Sequence, residues 1–104
     1  MTIDELRRFV MRLDGATESS HQGGPDFRYR NRIVVNLDED QRSITIKLPL
    51  DDQAALTARD DRVFTRPGGW AKHGWTTISL ELVDDGELRE LITQAWDDTK
   101  ARSK

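Results

Sequence analysis

The ten residues from Arg66 to Trp75, RPGGWAKHGW, carry the densest group of side chains capable of chemistry in this sequence. They hold two of the three tryptophans, one of the two histidines, two basic residues and three of the seven glycines, with no acid. Indole rings stack on nucleobases, and each stack contributes roughly 1–3 kcal/mol in proteins that bind single strands. Glycines let backbone N–H groups approach an anion closely. The segment therefore predicts a loop that binds a planar or phosphate-bearing ligand.

Each side chain of this loop also has a structural interpretation. Trp70 and Trp75 could instead pin the glycine-rich loop to a sheet, and Arg66, Lys72 and His73 could be ordinary solvated charges. The loop is not a phosphate-binding P-loop, because it has no Gly-Lys-Ser/Thr run and no helix is predicted to follow it. Strand alternation makes Trp75 the better of the two stacking candidates, since it falls opposite the apolar positions of its strand.

A second acid-free stretch runs from Phe27 to Leu37 and includes Arg28, Arg30 and Arg32. On a hairpin these arginines could contact a phosphate backbone. They could equally form a solvated edge that discourages pairing with another sheet. His21, just before a Gly-Gly-Pro run, is either a ligand-binding residue or a local hydrogen-bonding residue of a loop.

Catalytic and metal sites are not predicted. The run from Ser19 to His21 is only a sequence neighbourhood, whereas a catalytic triad is defined by its geometry. Two histidines without a His-x-x-x-His pattern, in a chain with no cysteine, do not form a metal-binding motif. We therefore expect no enzymatic activity, no metal and no cofactor.

The length of 104 residues predicts one domain over residues 1–104. The formal net charge of −3 is unusual for a protein devoted to nucleic acid, but the distribution of charge matters more than its sum. The absence of cysteine fits a reducing compartment. No secretory leader is recognisable, and no apolar run approaches the ~20 residues that span a bilayer. We therefore expect a cytoplasmic protein without a membrane partner.

Hydrophobic periodicity predicts the elements that must position these residues. Thr2 and Glu5 form a capping box, and apolar residues at helical spacing follow. Residues 16–25 are polar and glycine-rich and are predicted as a loop. The predicted elements are helices over about 2–13, 51–59 and from 84 onward, and strands over 27–30, 33–37, 44–48, 62–65 and 76–83. Strands grouped between helices indicate an α+β domain with one antiparallel sheet.

Packing three amphipathic helices on one sheet face gives a two-layer sandwich whose other face is open. Trp96, in the apolar stripe of the last helix, is predicted in the core. The open face can meet water or a partner. If no bulge shifts the register, that face carries Val34, Asn36, Thr45, Lys47, Trp75, Thr77 and Ser79.

Two motifs resemble a known family. The segment 21–28, HQGGPDFR, is similar to the His-x-Gly-x-Pro-x-Phe signature of the MmcQ/YjbR-like proteins, and Arg66–Trp75 is similar to their Pro-x-Gly-Trp-Gly-x-x-Gly-Trp loop. Ala71 departs from the pattern, because a glycine usually follows the tryptophan; alanine there requires an ordinary backbone angle. Segments 37–40, 47–49 and 84–88 also match, so the resemblance covers nearly the whole chain.

The resemblance implies an α-β(3)-α-β(2)-α fold similar to secretion chaperones, and DNA binding through a "double wing". We therefore expect weak, largely sequence-independent nucleic-acid binding, with the basic side chains on phosphates and Trp75 stacked on a base. A protein-interaction adaptor and a small-ligand-binding domain remain the alternatives. The expected partners are DNA or another protein, and the expected state is a monomer or weak homodimer. If the two loops meet, His21, Arg66, Trp70 and His73 form one site.

Overall fold

The computed structural model describes residues 1–21 and 24–103, so Gln22 and Gly23 of the predicted loop, and Lys104, lie outside the described residues. Its elements run in the order α1, four strands, α2, one strand, a 3₁₀ helix, one strand, α3. Their bounds are α1 Ile3–Met11, β1 Ala16–His21, β2 Gly24–Tyr29, β3 Arg32–Asp38, β4 Ser43–Lys47, α2 Leu50–Arg59, β5 Phe64–Thr65, the 3₁₀ helix Gly68–His73, β6 Trp75–Ser79 and α3 Asp85–Arg102.

The six strands form one antiparallel sheet in the order β1-β2-β3-β4-β6-β5. Alternate residues of the central strands pack against the helices, as strand periodicity requires. The predicted α+β class with a single antiparallel sheet is confirmed. The largest fully buried side chains are Trp96, Phe27, Phe64, Leu6, Leu37, Ile44, Ile46, Ile78, Leu80, Leu88, Ile92 and Val10.

The sheet has one more strand than the sequence predicts. The predicted loop over 16–25 contains β1, which pairs with β2 so that Ser19 faces Asp26 and His21 faces Gly24. Almost every side chain of β1 is exposed. An edge strand of this kind carries no alternation of apolar and polar residues, which is the signal that identifies strands in a sequence.

A bulge alters the predicted open face. Phe27 pairs with Val35 but Arg28 pairs with Ile33, so Val34 is an extra residue in β3. Val34 is buried, and Ile33 instead lies on the open face. The prediction that Val34 is on the open face is therefore wrong, and the cause is the bulge.

The second helix differs from its prediction at both its start and its buried face. Neither Asp51 nor Asp52 caps it; it begins after Pro49 without a side-chain cap. Ala55 and Ala58 are not buried, and the buried residue of this helix is Gln53. Leu56 packs against the core, as an amphipathic helix requires, but the fully buried side chain of this helix is the polar Gln53.

The final strand is shorter than predicted, because β6 ends at Ser79 and a turn follows. Leu82, which lies inside the predicted strand over 76–83, falls beyond β6 and is 57% exposed. The predicted capping box of α1 is confirmed, since Thr2 and Glu5 bond reciprocally. At α3, Asp84 is the cap and accepts from the Glu87 N–H. Within the described part of the chain, no helix is long and apolar enough to cross a membrane.

Trp96 lies in the core, as predicted, at 1% exposure. Its indole N–H donates to the Asp14 carbonyl at 2.8 Å, and its ring meets Tyr29 edge-on at 6.3 Å between centroids. This one side chain connects α3 to the segment after α1 and to β2. The described residues share one hydrophobic core.

Candidate functional site

The open face of the sheet holds a pocket of about 370 Å³. We call it the Trp–His pocket; its lining residues are His21, Ile33, Asn36, Trp70, His73 and Trp75. They come from β1, β3, β6 and the 3₁₀ helix. The two segments that carried the sequence motifs therefore meet in space. Of the side chains predicted to form a joint site, Arg66 does not line the pocket.

Gly74 sets the path of the chain from the 3₁₀ helix into β6. Its φ of 97° is left-handed, and its N–H bonds to the Ala71 carbonyl at 2.9 Å. The Gly74 carbonyl accepts from the Leu48 N–H at 2.9 Å. A Cβ at position 74 would lie 2.1 Å from the Leu48 carbonyl oxygen. Only glycine allows the two backbone segments to approach so closely. This approach fixes the position of Gly74 and therefore of Trp75, the next residue and the first of β6.

The buried side chain of Gln53 attaches the 3₁₀ helix to the domain. Its Nε2 group donates to the carbonyls of Ala71 and Trp75, at 3.1 and 2.9 Å, and to the Thr76 hydroxyl at 3.2 Å. Ala71 has an ordinary negative φ, as the alanine at this position predicted, and is buried. These hydrogen bonds from Gln53 therefore attach the segment between Trp70 and Trp75 to α2.

The two tryptophans of the pocket pack against each other. Their ring centroids are 6.5 Å apart and the planes are inclined by 54°. Trp70 is 60% exposed, whereas Trp75 is half-buried and pairs with Lys47 across β4 and β6. The pair forms an aromatic wall with an accessible indole face, which can stack on a planar ligand.

His21 is held in the pocket by a buried carboxylate. Its Nδ1 lies 2.7 Å from Oδ2 of Asp26, whose side chain is fully buried. Arg28 donates to the same carboxylate from Nε at 2.7 Å and from Nη2 at 3.1 Å. These hydrogen bonds, chiefly those from Arg28 and then the one from His21, lower the pKa of Asp26 against the opposing effect of burial.

The charge on Asp26 determines which ring nitrogen of His21 donates a hydrogen bond and which can accept one from a ligand. An ionised carboxylate can only accept hydrogen bonds, so Nδ1 of His21 must donate. The Nε2 atom of the neutral imidazole is then an acceptor. Asn36, the residue directly opposite Asp26 on β3, also lines the pocket. Within residues 1–21 and 24–103, the buried Oδ1 of Asn36 has no hydrogen-bond partner.

The predicted phosphate-binding residues separate into two groups. Arg28 is bound to Asp26 and, through Nη1, to Asn31 at 3.1 Å, and Arg30 lies over the Tyr29 ring at 5.5 Å. These two guanidinium groups already have partners within the β2–β3 hairpin. Three exposed basic residues are neighbours of a pocket residue, either in the sequence or across the sheet: Arg32, Lys47 and Lys72. Arg66 is also exposed and lies just before the 3₁₀ helix.

Sequence reasoning missed three residues that form or support the site: Asp26, Gln53 and Ile33. Asp26 lies inside the His-x-Gly-x-Pro-x-Phe signature, so its position between Pro25 and Phe27 was the available signal. A glutamine within a helix is expected on the exposed surface, so Gln53 was not recognised. Ile33 was not recognised because the bulge changes which residues of β3 lie on the open face.

A second depression, of about 480 Å³, lies beside the N-terminus and is lined by residues that include Thr2, Glu5 and Leu80. Its main polar groups already have partners: the Met1 ammonium bonds the Leu80 carbonyl at 3.1 Å and Asp85 at 2.8 Å. The Trp–His pocket, by contrast, is lined by two indole and two imidazole rings. In the described ranges, no group of three or more histidine or acidic side chains is arranged to hold a metal ion.

Comparison with known proteins gives the family. The family model YjbR matches residues 11–98. The chain belongs to the YjbR family. A crystal structure of the Deinococcus radiodurans protein DR2400, which carries the DUF419 domain, superposes with a TM-score of 0.80 at 19% identity, over 91% of this chain and 75% of that one. This likeness shows the shared fold. No curated protein matches the sequence.

Proposed function

We propose that this YjbR-family protein is a non-enzymatic binder of single-stranded nucleic acid that holds one unstacked base in the Trp–His pocket. The observation that carries the proposal is the meeting of two tryptophans and two histidines in one concave site on the open sheet face. Its volume of about 370 Å³ falls within the range of roughly 300–1,000 Å³ common to small-molecule sites.

The aromatic wall supports the base-binding part of the proposal. Trp70 presents most of its surface to solvent, and Trp75 supports it from the strand beneath. Every base has a π-face, so stacking on an indole tolerates many sequences. Single strands fit better than a duplex, because a base can enter a pocket only after it leaves its stack.

The charge distribution supports the phosphate-binding part. Among the described residues, no acid lines the Trp–His pocket. The exposed basic residues Arg32, Lys47 and Lys72 are neighbours of its lining residues in the sequence or across the sheet, and Arg66 is exposed just before the 3₁₀ helix. The acids that give the chain its net charge of −3 cluster elsewhere, at 38–40, 51–52, 60–61 and 84–85. Few phosphate contacts on an acidic protein predict weak binding, with a salt slope that is small because it scales with the number of contacts.

The same experiments also test two alternative functions. A free planar metabolite would use the same pocket without the basic rim. A protein-interaction adaptor would need an apolar surface, but the exposed large apolar residues, Met11, Leu50, Trp70 and Leu82, lie on four different parts of the chain. The pocket therefore favours a ligand with a planar ring over a protein partner.

The test is titration of a fluorescently labelled single-stranded octanucleotide at ~50 mM salt, where the phosphate contribution is strong. Anisotropy reports binding and tryptophan emission reports contact with the pocket. Trp70→Ala should reduce the emission change, since only Trp75 then reports from the pocket, and should weaken binding by about 1–3 kcal/mol. The matched control Leu82→Ala removes a similarly exposed apolar side chain away from the pocket and should leave affinity unchanged.

A charge-reversal pair tests the rim. Arg66→Glu with Lys72→Glu should abolish measurable binding. Arg8→Glu with Arg89→Glu, on the helix side, changes the net charge by the same amount and should have a much smaller effect. The absence of binding by the unaltered protein would refute the proposal, and so would equal losses in the two double variants.

A further inference from the structure

We infer that two copies of this chain associate through the outer edge of β1 and form one continuous sheet that carries both Trp–His pockets on the same face. β1, Ala16–His21, is the first strand in the sheet order and pairs with β2 along its inner edge. The outer edge of such a strand presents backbone groups that can pair with another chain. The association goes beyond the proposed function, because it does not depend on what the pocket binds.

The backbone groups of Glu18 and Ser20 face the outer edge of β1. Ser20 lies opposite Pro25 on β2, and proline has no N–H, so this pair cannot be one that exchanges two hydrogen bonds. Hydrogen-bonded and non-hydrogen-bonded pairs alternate along an antiparallel ladder. Ser19 therefore bonds to β2, whereas the N–H and C=O groups of Glu18 and Ser20 point away from it.

The sequence of β1 does not protect this edge. Edge strands are commonly guarded by lysine, proline, a bulge or short length. The segment ATESSH contains no lysine or proline, and its six residues pair with β2 without a shift of register. Its one acid, Glu18, is bound by Nε of Arg7 at 3.0 and 3.1 Å. The strand at the other end of the sheet, β5, has only two residues, so β1 is the edge that can sustain a ladder.

β1 is complementary to itself in one antiparallel register. When Glu18 pairs with Ser20 of the partner subunit, both outward-facing residues of each copy exchange backbone hydrogen bonds, and Ser19 lies opposite its own copy. The register that pairs Glu18 with its own copy is unfavourable, because like charges directly opposite destabilise a sheet. Because the same edge is used by both copies, the pairing closes as a two-fold dimer and does not continue as a filament.

The dimer brings two pockets together. Its two-fold axis is perpendicular to the sheet at Ser19, so the two open faces become continuous. His21, which lines the pocket, is two residues from the axis, and the two copies of His21 are then about 14 Å apart along the strand direction. Each His21 lies opposite Thr17 of the partner subunit, which adds a side chain to the margin of the pocket. Two pockets on one face can bind one extended ligand with greater avidity than a single pocket.

Single cysteines test this register, because the chain has no other cysteine. Ser19→Cys places two thiols on directly opposite residues, where the Cα atoms are about 4.5 Å apart and a disulfide can close. Thr17→Cys is the matched control on the same exposed strand; its two copies would be about 14 Å apart, too far for a disulfide. Under mild oxidation at equal protein concentration, Ser19→Cys should cross-link at least about tenfold faster than Thr17→Cys.

Equal cross-linking rates, or faster cross-linking through Thr17→Cys, would overturn the register. Sedimentation equilibrium of the unaltered protein without nucleic acid should show a monomer–dimer equilibrium, and a monomer at every concentration up to about 1 mM would overturn the association. Octanucleotide binding by a protein that stays monomeric would leave the proposed function intact. A dimer that binds no octanucleotide would support the association and refute the proposed function.

Charge at position 20 provides a second test. Ser20→Glu places an acid opposite Glu18 of the partner subunit in both halves of the interface and should weaken the dimer several-fold. Ser20→Lys places an opposite charge there and should strengthen it. Both substitutions alter an exposed side chain. Equal dimer affinities for the two variants in sedimentation would overturn the pairing of Ser20 with Glu18.

Discussion

Replacement of Gly74 by alanine should destabilise the domain and disturb the Trp–His pocket together. An L-residue in the left-handed region costs about 1–2 kcal/mol. The new Cβ would lie 2.1 Å from the Leu48 carbonyl oxygen, well inside contact distance, so the backbone must move. That movement strains the bond from the Leu48 N–H to the Gly74 carbonyl, now 2.9 Å long, which contributes about 0.5–1.5 kcal/mol.

Alanine also restricts the unfolded chain, which offsets about 0.4–1 kcal/mol of this loss. The net expectation is a destabilisation of about 0.5–3 kcal/mol. For a domain of this size, that corresponds to a fall in Tm of about 2–24 °C. Because Gly74 directs the chain into Trp75, the variant should also change the intrinsic tryptophan emission before any unfolding.

Gly69→Ala is the control in the same segment. Its φ is not left-handed and nothing lies within 4 Å of a Cβ built there. It should be neutral or stabilising by up to about 1 kcal/mol. Urea denaturation followed by circular dichroism measures both variants. Stabilities for the two variants that agree within about 0.5 kcal/mol would refute the argument that the approach of Gly74 to Leu48 determines the path of this segment.

Two further predictions concern the side chains that support the pocket. Gln53→Leu removes the side-chain donor to the Ala71 and Trp75 carbonyls and to the Thr76 hydroxyl and should cost about 1–3 kcal/mol in urea denaturation, whereas Gln94→Leu, at an exposed site on α3, should cost less than about 0.5 kcal/mol; similar losses in both would contradict the anchoring role. Asp26→Asn should destabilise the domain by about 2 kcal/mol at pH 7, because Arg28 loses its carboxylate partner. The pKa of Asp26 is lowered in the folded state, so this stabilisation is present above the unfolded pKa of about 4 and is lost as the pH falls through the folded pKa. The stability difference between the unaltered protein and the Asp26→Asn variant should therefore shrink below about pH 4, and a difference that stays constant down to about pH 2 would contradict the interpretation.

The local patterns identified most of the framework. Helical spacing and capping residues predicted α1 and α3, because both signals lie within a few residues of each other along the chain. The core strands β3 and β4 followed from their apolar alternation. The exposed strand β1 and the polar buried face of α2 were missed, since neither has a periodic apolar pattern.

The candidate site shows the same division. The composition of Arg66–Trp75 indicated a loop built for stacking and anion contact, and His21 was singled out beside it. The local sequence of neither segment indicates whether His21 and Arg66–Trp75 lie close together in the fold. Their meeting depends on the strand order, on the β3 bulge that exchanges Val34 for Ile33 on the open face, and on the contacts of Gln53 and Gly74.

The sequence by itself determined the α+β class, the core of α3 and the central strands, and the kinds of side chain available for binding. These properties depend on short-range periodicity and on residue chemistry. Only the tertiary structure decided that Asp26 orients His21, that Arg28 is occupied by Asp26, and that His21 and the two tryptophans line one pocket. Those facts depend on cross-strand register and burial, which arise from contacts between residues distant in sequence.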